Sequence, residues 1–342
     1  MAYQDDILNA ASVELPWHNL HGKNVLITGA TGLIGSTIVE ILMTRPLIDF
    51  DVYASGRNEE RAKSLFQRFW ESKNFHFIKH DVTQPLDCSV DFHFIIDAAS
   101  GANPVLYSTH PVDVMKANFN GVDNLLTYGK NHHLERMVYV SSGDVYGEGD
   151  GRIFSEGYSG YVNPLNIRSC YTSSKRASET LCISYGVQYG IDVVIARPCH
   201  TFGPNFTESD TRVYAQFIRN ILRGEDIVMK SSGEQFRSWC YSVDCASGVL
   251  YVLLKGNNRE AYNIADDNSN ISIKELADII ADIGGKKVVI EQPDDIEKKG
   301  FNLASKSVFD TTKLKSLGWH IQGNIRSSLE NTMNCVYEKF KN

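Results

Sequence analysis

The sequence predicts an α/β fold: a doubly wound parallel sheet with a smaller lobe appended toward the C-terminus. Three observations predict it. Short runs rich in Val, Ile and aromatics recur through the first 200 residues, helix-compatible segments separate them, and a glycine-rich turn follows the first run directly. The runs are NVLIT (24–28), DVYAS (51–55), FHFIK (75–79), FHFIID (92–97), RMVYVS (136–141) and DVVIA (192–196). Most are too uniformly apolar for half-exposed strands and fit the buried strands of a parallel sheet. The intervening segments 33–43, 58–72, 112–132 and 171–189 supply crossover helices. Right-handed crossovers place a ligand crevice at the carboxyl ends of the strands.

After Arg197-Pro198 the pattern loosens, with 199–240 and 266–342 alternating short elements and loops. At roughly 100–200 residues per domain, 342 residues suggest two domains or one large α/β domain with an appendage. Hydrophobic residues at 42% and charged residues at 22% are ordinary for a globular chain and argue against disorder. A net charge of −7 disfavours nucleic acid or an anionic membrane as partner, because bulk phosphate binding needs a basic face. Seven cysteines without a CxxC pair predict neither a disulfide framework nor a zinc site, so no metal is expected. The first 20 residues lack the basic start and apolar core of a signal peptide. No apolar stretch approaches the ~20 residues that span a bilayer. These features predict a reduced, cytoplasmic protein with no membrane partner.

The turn after the first strand reads TGATGLIGS, with Gly29, Gly32 and Gly35 spaced as GxxGxxG. The first glycine permits a tight turn, the second lets a pyrophosphate approach, and the third lets helix 33–43 pack closely on the sheet. The helix N-terminus then offers free N–H donors and a partial positive charge. Between a buried strand and an amphipathic helix, this predicts dinucleotide binding. An NAD site places a carboxylate at the end of the second strand. Here that strand ends in Ser55-Gly56-Arg57-Asn58. Arg57 is placed either to meet the 2′-phosphate of NADP or only to stack on adenine. Asp81, after the third strand, either reaches the adenine or caps a turn.

YTSSK sets Tyr171 and Lys175 one helical turn apart on one face. A free tyrosine, with a pKa near ~10, is a poor base at neutral pH. A nearby ammonium and an oxidised nicotinamide favour the phenolate and bring the pKa toward working range. Tyr171 then takes a proton from a substrate hydroxyl while hydride leaves the same carbon. VSSGDVYG, at the end of the fifth strand, offers Ser142 to orient that hydroxyl.

In these residues the chain, from about 22 to about 335, resembles the extended short-chain dehydrogenase/reductase family, among its nucleotide-sugar epimerases, dehydratases and decarboxylases. The resemblance implies a Rossmann-type domain over 23–198 plus 241–264, a nucleotide-sugar lobe over 199–240 and 265–342, and an N-terminal extension over 1–22. It implies Tyr171 as acid/base, Lys175 lowering its pKa and holding the nicotinamide ribose, and Ser142 orienting the sugar. KANFNGVDNLL is similar to the family's NxxGT segment, which gives Asn118 a structural and cofactor-side role. RPCHTFGPN resembles the RxxNxxGP turn and brings Pro198 to the nicotinamide and His200 to the sugar. The same resemblance places Thr31, Leu33 and Ile34 against the phosphates. It places Val82, Ala98, Ala99 and Ser100 along the rest of the cofactor. SDTRVYAQFI and GEQFRSWCYSVDCASG resemble the nucleotide-diphosphate clamp, with Arg212 and Arg237 on the pyrophosphate or nucleotide. Segments 112–132 and 171–189 resemble the pair through which such enzymes dimerise, so a homodimer is expected.

Within the family, NPLNIRSCYTSSKRASETLC and RSWCY look most like UDP-glucuronate decarboxylases, although those enzymes usually carry YDEGK. Asp144 stands where decarboxylases and dehydratases carry Glu, either as a base at the sugar or as a loop cap. Gly143 stands where dehydratases carry an Asp general acid, which argues against dehydration. His200 replaces the usual Asn with a bulkier group that can titrate. KSVFD replaces a basic-Pro-Asp segment, leaving Lys306 as its basic residue. The expected activity is oxidation of a nucleotide-linked sugar, at C4, by a tightly held NAD, with NADP open, followed by decarboxylation or epimerisation. The alternatives are an NADPH-dependent 4-ketosugar reductase, a 4,6-dehydratase, or a catalytically silent dinucleotide-binding protein.

Overall fold

The computed structural model describes residues 2–291 and 306–341. Helix α1 (Ala2–Ala11) precedes β1 (Asn24–Thr28), α2 (Leu33–Met43), β2 (Asp51–Gly56), α3 (Glu59–Leu65) and β3 (Phe75–Lys79). The chain continues through β4 (Phe94–Asp97), α4 (Pro104–Thr109), α5 (Pro111–Asn131), β5 (Arg136–Val140), α6 (Ser169–Tyr189) and β6 (Val193–Pro198). Next come β7 (His200–Phe202), α7 (Val213–Leu222), β8 (Ile227–Met229), β9 (Phe236–Tyr241), α8 (Ser242–Lys255) and β10 (Ala261–Ile264). β11 (Asp266–Ser272), α9 (Ile273–Gly284), β12 (Val288–Ile290), β13 (Lys306–Ser307), a short helix Thr312–Lys315 and a C-terminal helix Ile325–Lys341 follow.

β10, β6, β5, β4, β1, β2 and β3 lie side by side in that order in one sheet, every pair parallel. Parallel pairing demands long crossovers, and the helices that supply them cover both faces. Alternation along each strand divides the core in two. Val25, Ile27, Phe94, Ile96, Val138 and Val140 pack with α2 and α8. Leu26, Ile95, Met137 and Tyr139 pack with α5 and α6 on the other face. A second sheet of β11, β9, β13 and β7 forms the appended lobe. The winding reverses between β1 and β4, so the crevice opens at the carboxyl ends of these two strands.

One expectation needs correction. Segment 58–72 is not one helix: α3 stops at Leu65, and a 3₁₀ turn at Gln67–Phe69 follows. Phe66 leaves the helical region at φ −107°, ψ 19° and is fully buried, with its ring 5.4 Å from that of Phe75. Aromatic burial outweighs the weak helix preference there. The N-terminal extension over 1–22 carries helix α1, packed onto the main body. Tyr3, Ile7, Ala10 and Ala11 form the buried stripe of α1. The Tyr3 hydroxyl donates to the Glu40 carboxylate on α2. Asp6 Oδ2 accepts from the Tyr241 hydroxyl at 3.1 Å and from Asn331 Nδ2 at 2.7 Å.

Candidate active site

The glycine turn is built for close approach. Gly29 sits at φ +60°, and a Cβ there would lie 2.5 Å from the Ala98 carbonyl oxygen. A Cβ on Gly35 would lie 2.4 Å from the Gly29 oxygen. Gly32 is the N-cap of α2 and brings no side chain to cap it. The N–H groups of Leu33, Ile34 and Gly35 therefore open the helix without side-chain capping, as an anion site requires. Thr31 flanks them, and its carbonyl is held by Arg61 Nε at 3.1 Å while Arg61 Nη2 reaches the Asn205 carbonyl at 3.1 Å. This cradle fits a dinucleotide pyrophosphate.

At the adenosine end, Arg57 is exposed and lies 3.9 Å from Asp81 Oδ2. Asp81 caps a turn: its Oδ1 accepts the Thr83 N–H at 3.0 Å and the Thr83 hydroxyl at 2.9 Å. These bonds, the backbone one foremost, hold its pKa below the usual carboxylate value. Val82 is fixed against α5, where Asn124 Nδ2 donates to its carbonyl at 2.8 Å. After β4, the Ala98 N–H meets the Thr28 carbonyl at 3.3 Å and the Ala99 N–H meets Asp97 Oδ1 at 3.2 Å. The Ser100 hydroxyl donates to Asn118 Oδ1 at 2.8 Å, and Asn118 Nδ2 donates to Ser174 Oγ at 2.9 Å. Asn118 thus ties the β4 loop to the turn of α6 that bears Tyr171. Pro198 closes β6, buried beside this wall.

Tyr171 is 5% exposed and stacks on Tyr107 of α4, with ring centroids 4.9 Å apart and planes at 18°. Its phenol has the Ser142 and Ser100 hydroxyls as hydrogen-bonding neighbours. Lys175 Nζ donates to the Val140 carbonyl at 2.9 Å, 4.7 Å above the Tyr139 ring centroid and 5.9 Å from that of Tyr171. Burial lowers its pKa to about 8. In the protein alone, burial first, then the Asp144 carboxylate, push the Tyr171 phenol up to about 12. Ser142, Ser100 and Arg212 pull in the other direction.

Asp144 opens toward solvent within the crevice, with its N–H donating to Ser142 Oγ at 3.2 Å. Burial by the surrounding protein raises its carboxyl pKa, opposed by Arg168 and Arg237. Arg212 is held by Asp210 through Nε–Oδ1 at 2.9 Å and Nη2–Oδ2 at 2.5 Å. Arg237, 2% exposed, sits on β9, where Ser307 of β13 is its register partner and Lys306 is opposite Phe236. His200 packs on Trp239 with centroids 5.4 Å apart. It does not titrate near neutrality: burial, Arg237 and Arg212 lower its pKa to about 3. Its buried Nδ1 has no hydrogen-bond partner. Gly143 meets the Phe309 ring, whose Cζ would lie 2.2 Å from an added Cβ.

The fold thus gathers Tyr171, Lys175, Ser142, Asp144, His200, Arg212 and Arg237 around one crevice. It leaves Arg57 and Asp81 at the far, exposed end. Sequence reasoning missed Tyr107, Arg168 and Arg61. Arg168 precedes Tyr171 by three positions, a helical spacing that was available as a signal. Tyr107 and Arg61 arrive from distant segments with no local pattern to mark them.

A glycine-cradled dinucleotide loop beside a Ser–Tyr–Lys set, facing an arginine-lined lobe, defines a nicotinamide-dependent enzyme with a place for an anionic substrate. Residues 25–265 match the NAD dependent epimerase/dehydratase family. UDP-glucuronic acid decarboxylase 3 of Arabidopsis thaliana is 34% identical over 313 residues, covering 89% of this chain and 86% of that protein. UDP-glucuronic acid decarboxylase 1 of Xenopus tropicalis is 34% identical over 265 residues, covering 77% of this chain and 61% of that protein. The fold is that of UDP-glucuronic acid 4-epimerase from Bacillus cereus, solved with UDP-glucuronic acid and NAD, at a TM-score of 0.78 and 20% identity. That match covers 93% of this chain and 99% of the other. The chain belongs to the NAD-dependent epimerase/dehydratase family.

Proposed function

We propose that this enzyme acts on a UDP-linked uronic acid, as a decarboxylase in the first instance and a 4-epimerase in the second. The observation that carries it is the convergence of Tyr171, Ser142 and Asp144 with Arg168, Arg212 and Arg237 at one end of the crevice. When bound, NAD supplies a hydride acceptor and donor at the sugar carbon. Ser142 aligns the C4 hydroxyl and Tyr171 takes its proton, with Lys175 holding the cofactor side of the phenol positively charged. The resulting ketone lies β to the uronate carboxylate, so the C5–C6 bond breaks with its electrons delocalised toward the C4 oxygen. Tyr171, now protonated, hydrogen-bonds that oxygen. The arginines meet the diphosphate and carboxylate charges, and His200 stays neutral beside Arg212 and Arg237. Asp144 adds a carboxylate on the same side of the crevice, close enough to Tyr171 to raise its pKa.

Dehydration suits the site poorly, because the Phe309 ring fills the space that a side chain at 143 would need. The exposed Arg57, at a strand end without a carboxylate, keeps one second reading: an NADPH-dependent 4-ketosugar reductase. Incubation with UDP-glucuronate and no added reductant, followed by mass spectrometry and NMR of the product, tests the proposal. Loss of CO₂ with formation of a UDP-pentose supports decarboxylation, and an isomer of equal mass supports epimerisation. An unchanged substrate, together with NADPH oxidation by a nucleotide 4-ketosugar, supports the reductase.

We also propose a cytoplasmic homodimer built on α5 and α6. Val112, Met115 and Phe119 form an exposed apolar stripe at i, i+3, i+7 of α5, and all seven cysteines are free thiols, as a reducing compartment favours. Sedimentation is expected to give a dimer that Phe119→Asp converts to monomer, and a wild-type monomer at micromolar concentration would contradict it.

A further inference from the structure

Asp97, at the carboxyl end of β4, has no part in the reaction described above, yet it is a carboxylate only 2% exposed inside the sheet. Strand register makes Thr28, Asp97 and Tyr139 neighbouring partners across β1, β4 and β5. Leu26, Ile95 and Tyr139 belong to the core under α5 and α6. Thr28 and Asp97 stand two residues after Leu26 and Ile95, so the alternation of strand side chains turns them to the same face. Lys175 comes down onto that face from α6, with its ammonium 4.7 Å above the Tyr139 ring. Neighbouring strands lie ~4.8 Å apart, so Asp97 is one strand spacing from the residue directly beneath the lysine. Its Oδ1 accepts the Thr28 hydroxyl at 2.5 Å and the Ala99 N–H at 3.2 Å.

The other titratable groups that face Lys175 do not supply a net counter-charge. Glu179, one turn further along α6, is clamped by Arg197 through Nε–Oε1 at 2.9 Å and Nη2–Oε2 at 2.6 Å. Burial pushes up the Cys182 thiol and the Tyr139 and Tyr171 phenols, which keeps all three neutral near pH 7. Asp97 is itself raised by burial but drawn back by Thr28 and Lys175. It leads the groups that support a proton on Lys175.

We propose that Asp97 is the buried counter-ion of Lys175, a positioning residue that keeps the lysine charged at neutral pH and sets the alkaline edge of activity. This rests on the reading of Lys175 as part of the reacting set. Asp97→Asn removes the charge and keeps a carbonyl oxygen for Thr28 and Ala99 to donate to, so packing and hydrogen bonding survive. The readout is the ¹³Cε titration of Lys175 by NMR in the full chain as purified, without substrate, the resonance being identified by its loss in Lys175→Arg. The midpoint is expected to fall by about one pH unit or more in Asp97→Asn, a roughly tenfold change in proton affinity. The alkaline limb of kcat/KM is expected to move the same way. An unchanged midpoint overturns the proposal. Should the variant fail to fold, the wild-type Asp97 ¹³Cγ resonance decides: it must report an ionised carboxylate throughout the Lys175 titration, and a protonated one overturns the counter-ion. A shifted midpoint in a protein without turnover of any UDP-uronate supports the counter-ion and removes the substrate reading instead.

Discussion

Tyr171 keeps its proton against the needs of a base: burial and the Asp144 carboxylate hold its pKa up at about 12. Lys175, together with the positive charge that a bound oxidised nicotinamide would supply, would shift that balance toward the phenolate. Tyr171→Phe is expected to lower kcat by about 10²–10⁴-fold, the range for a lost acid/base group, with the thermal midpoint little changed. Steady-state kinetics and calorimetry check the two halves. Lys175 loses its proton as pH rises through about 8, so kcat/KM is expected to fall on the alkaline side from there. His200, with its pKa near 3, contributes no inflection between pH 5 and 8, and a His200→Asn profile should have the wild-type shape in that range. At this scale the sequence was partly legible. Tyr171, Lys175 and Ser142 stand in short strings whose spacing carries the chemistry. The state of their protons was not legible, because it depends on burial and on Asp144, Arg212 and Arg237, which only the fold assembles.

At the scale of elements, close approach fixes the catalytic frame. Gly29, Gly35 and Gly143 each touch a neighbour where a Cβ would overlap it. Gly143→Ala is expected to displace the Phe309 ring and move Ser142, raising KM and lowering kcat together, with a thermal midpoint below wild type. Overpacking of this kind costs about 1–3 kcal/mol, which denaturant titration measures. The glycine turn was readable because only glycine allows that approach at that spacing. The first strands were readable because their apolar runs lack helical period. Helix α1 was not assigned, although Tyr3, Ile7, Ala10 and Ala11 carry a helical stripe. Its partners Glu40, Tyr241 and Asn331 lie far along the chain. Ile7, fully buried, gives the test: Ile7→Ala should cost about 2–5 kcal/mol by chemical denaturation. The stacking of Tyr107 on Tyr171 had no local signal either, since α4 meets α6 only after the crossover is folded.

For the whole molecule, the most exposed consequence of the packing lies away from the crevice. Asp244 of α8 is 4% exposed, and burial raises its pKa to about 7, eased by the Gln322 N–H and worsened by Asp266 and Asp6. The folded protein therefore binds this proton more tightly than the unfolded chain, whose value is near ~3.9. The stability this proton gives is present at low pH and is lost as pH rises through about 7. Asp244→Asn is expected to be more stable than wild type above that pH, by up to about 4 kcal/mol. The gap should close toward acid, and paired denaturation curves across pH check it. The doubly wound parallel sheet followed from the alternation of strands and helices, while its strand order and the second sheet, made of short pairings between distant segments, did not. Internal recycling of hydride requires NAD to stay bound in the crevice of Gly29, Tyr171 and Lys175 through a full catalytic cycle. Denaturing freshly purified protein and identifying the released dinucleotide by chromatography and mass spectrometry tests it most directly. Release of NAD⁺ or NADH is the predicted result, and a protein that releases none and then binds NADPH in preference to NADH would contradict it.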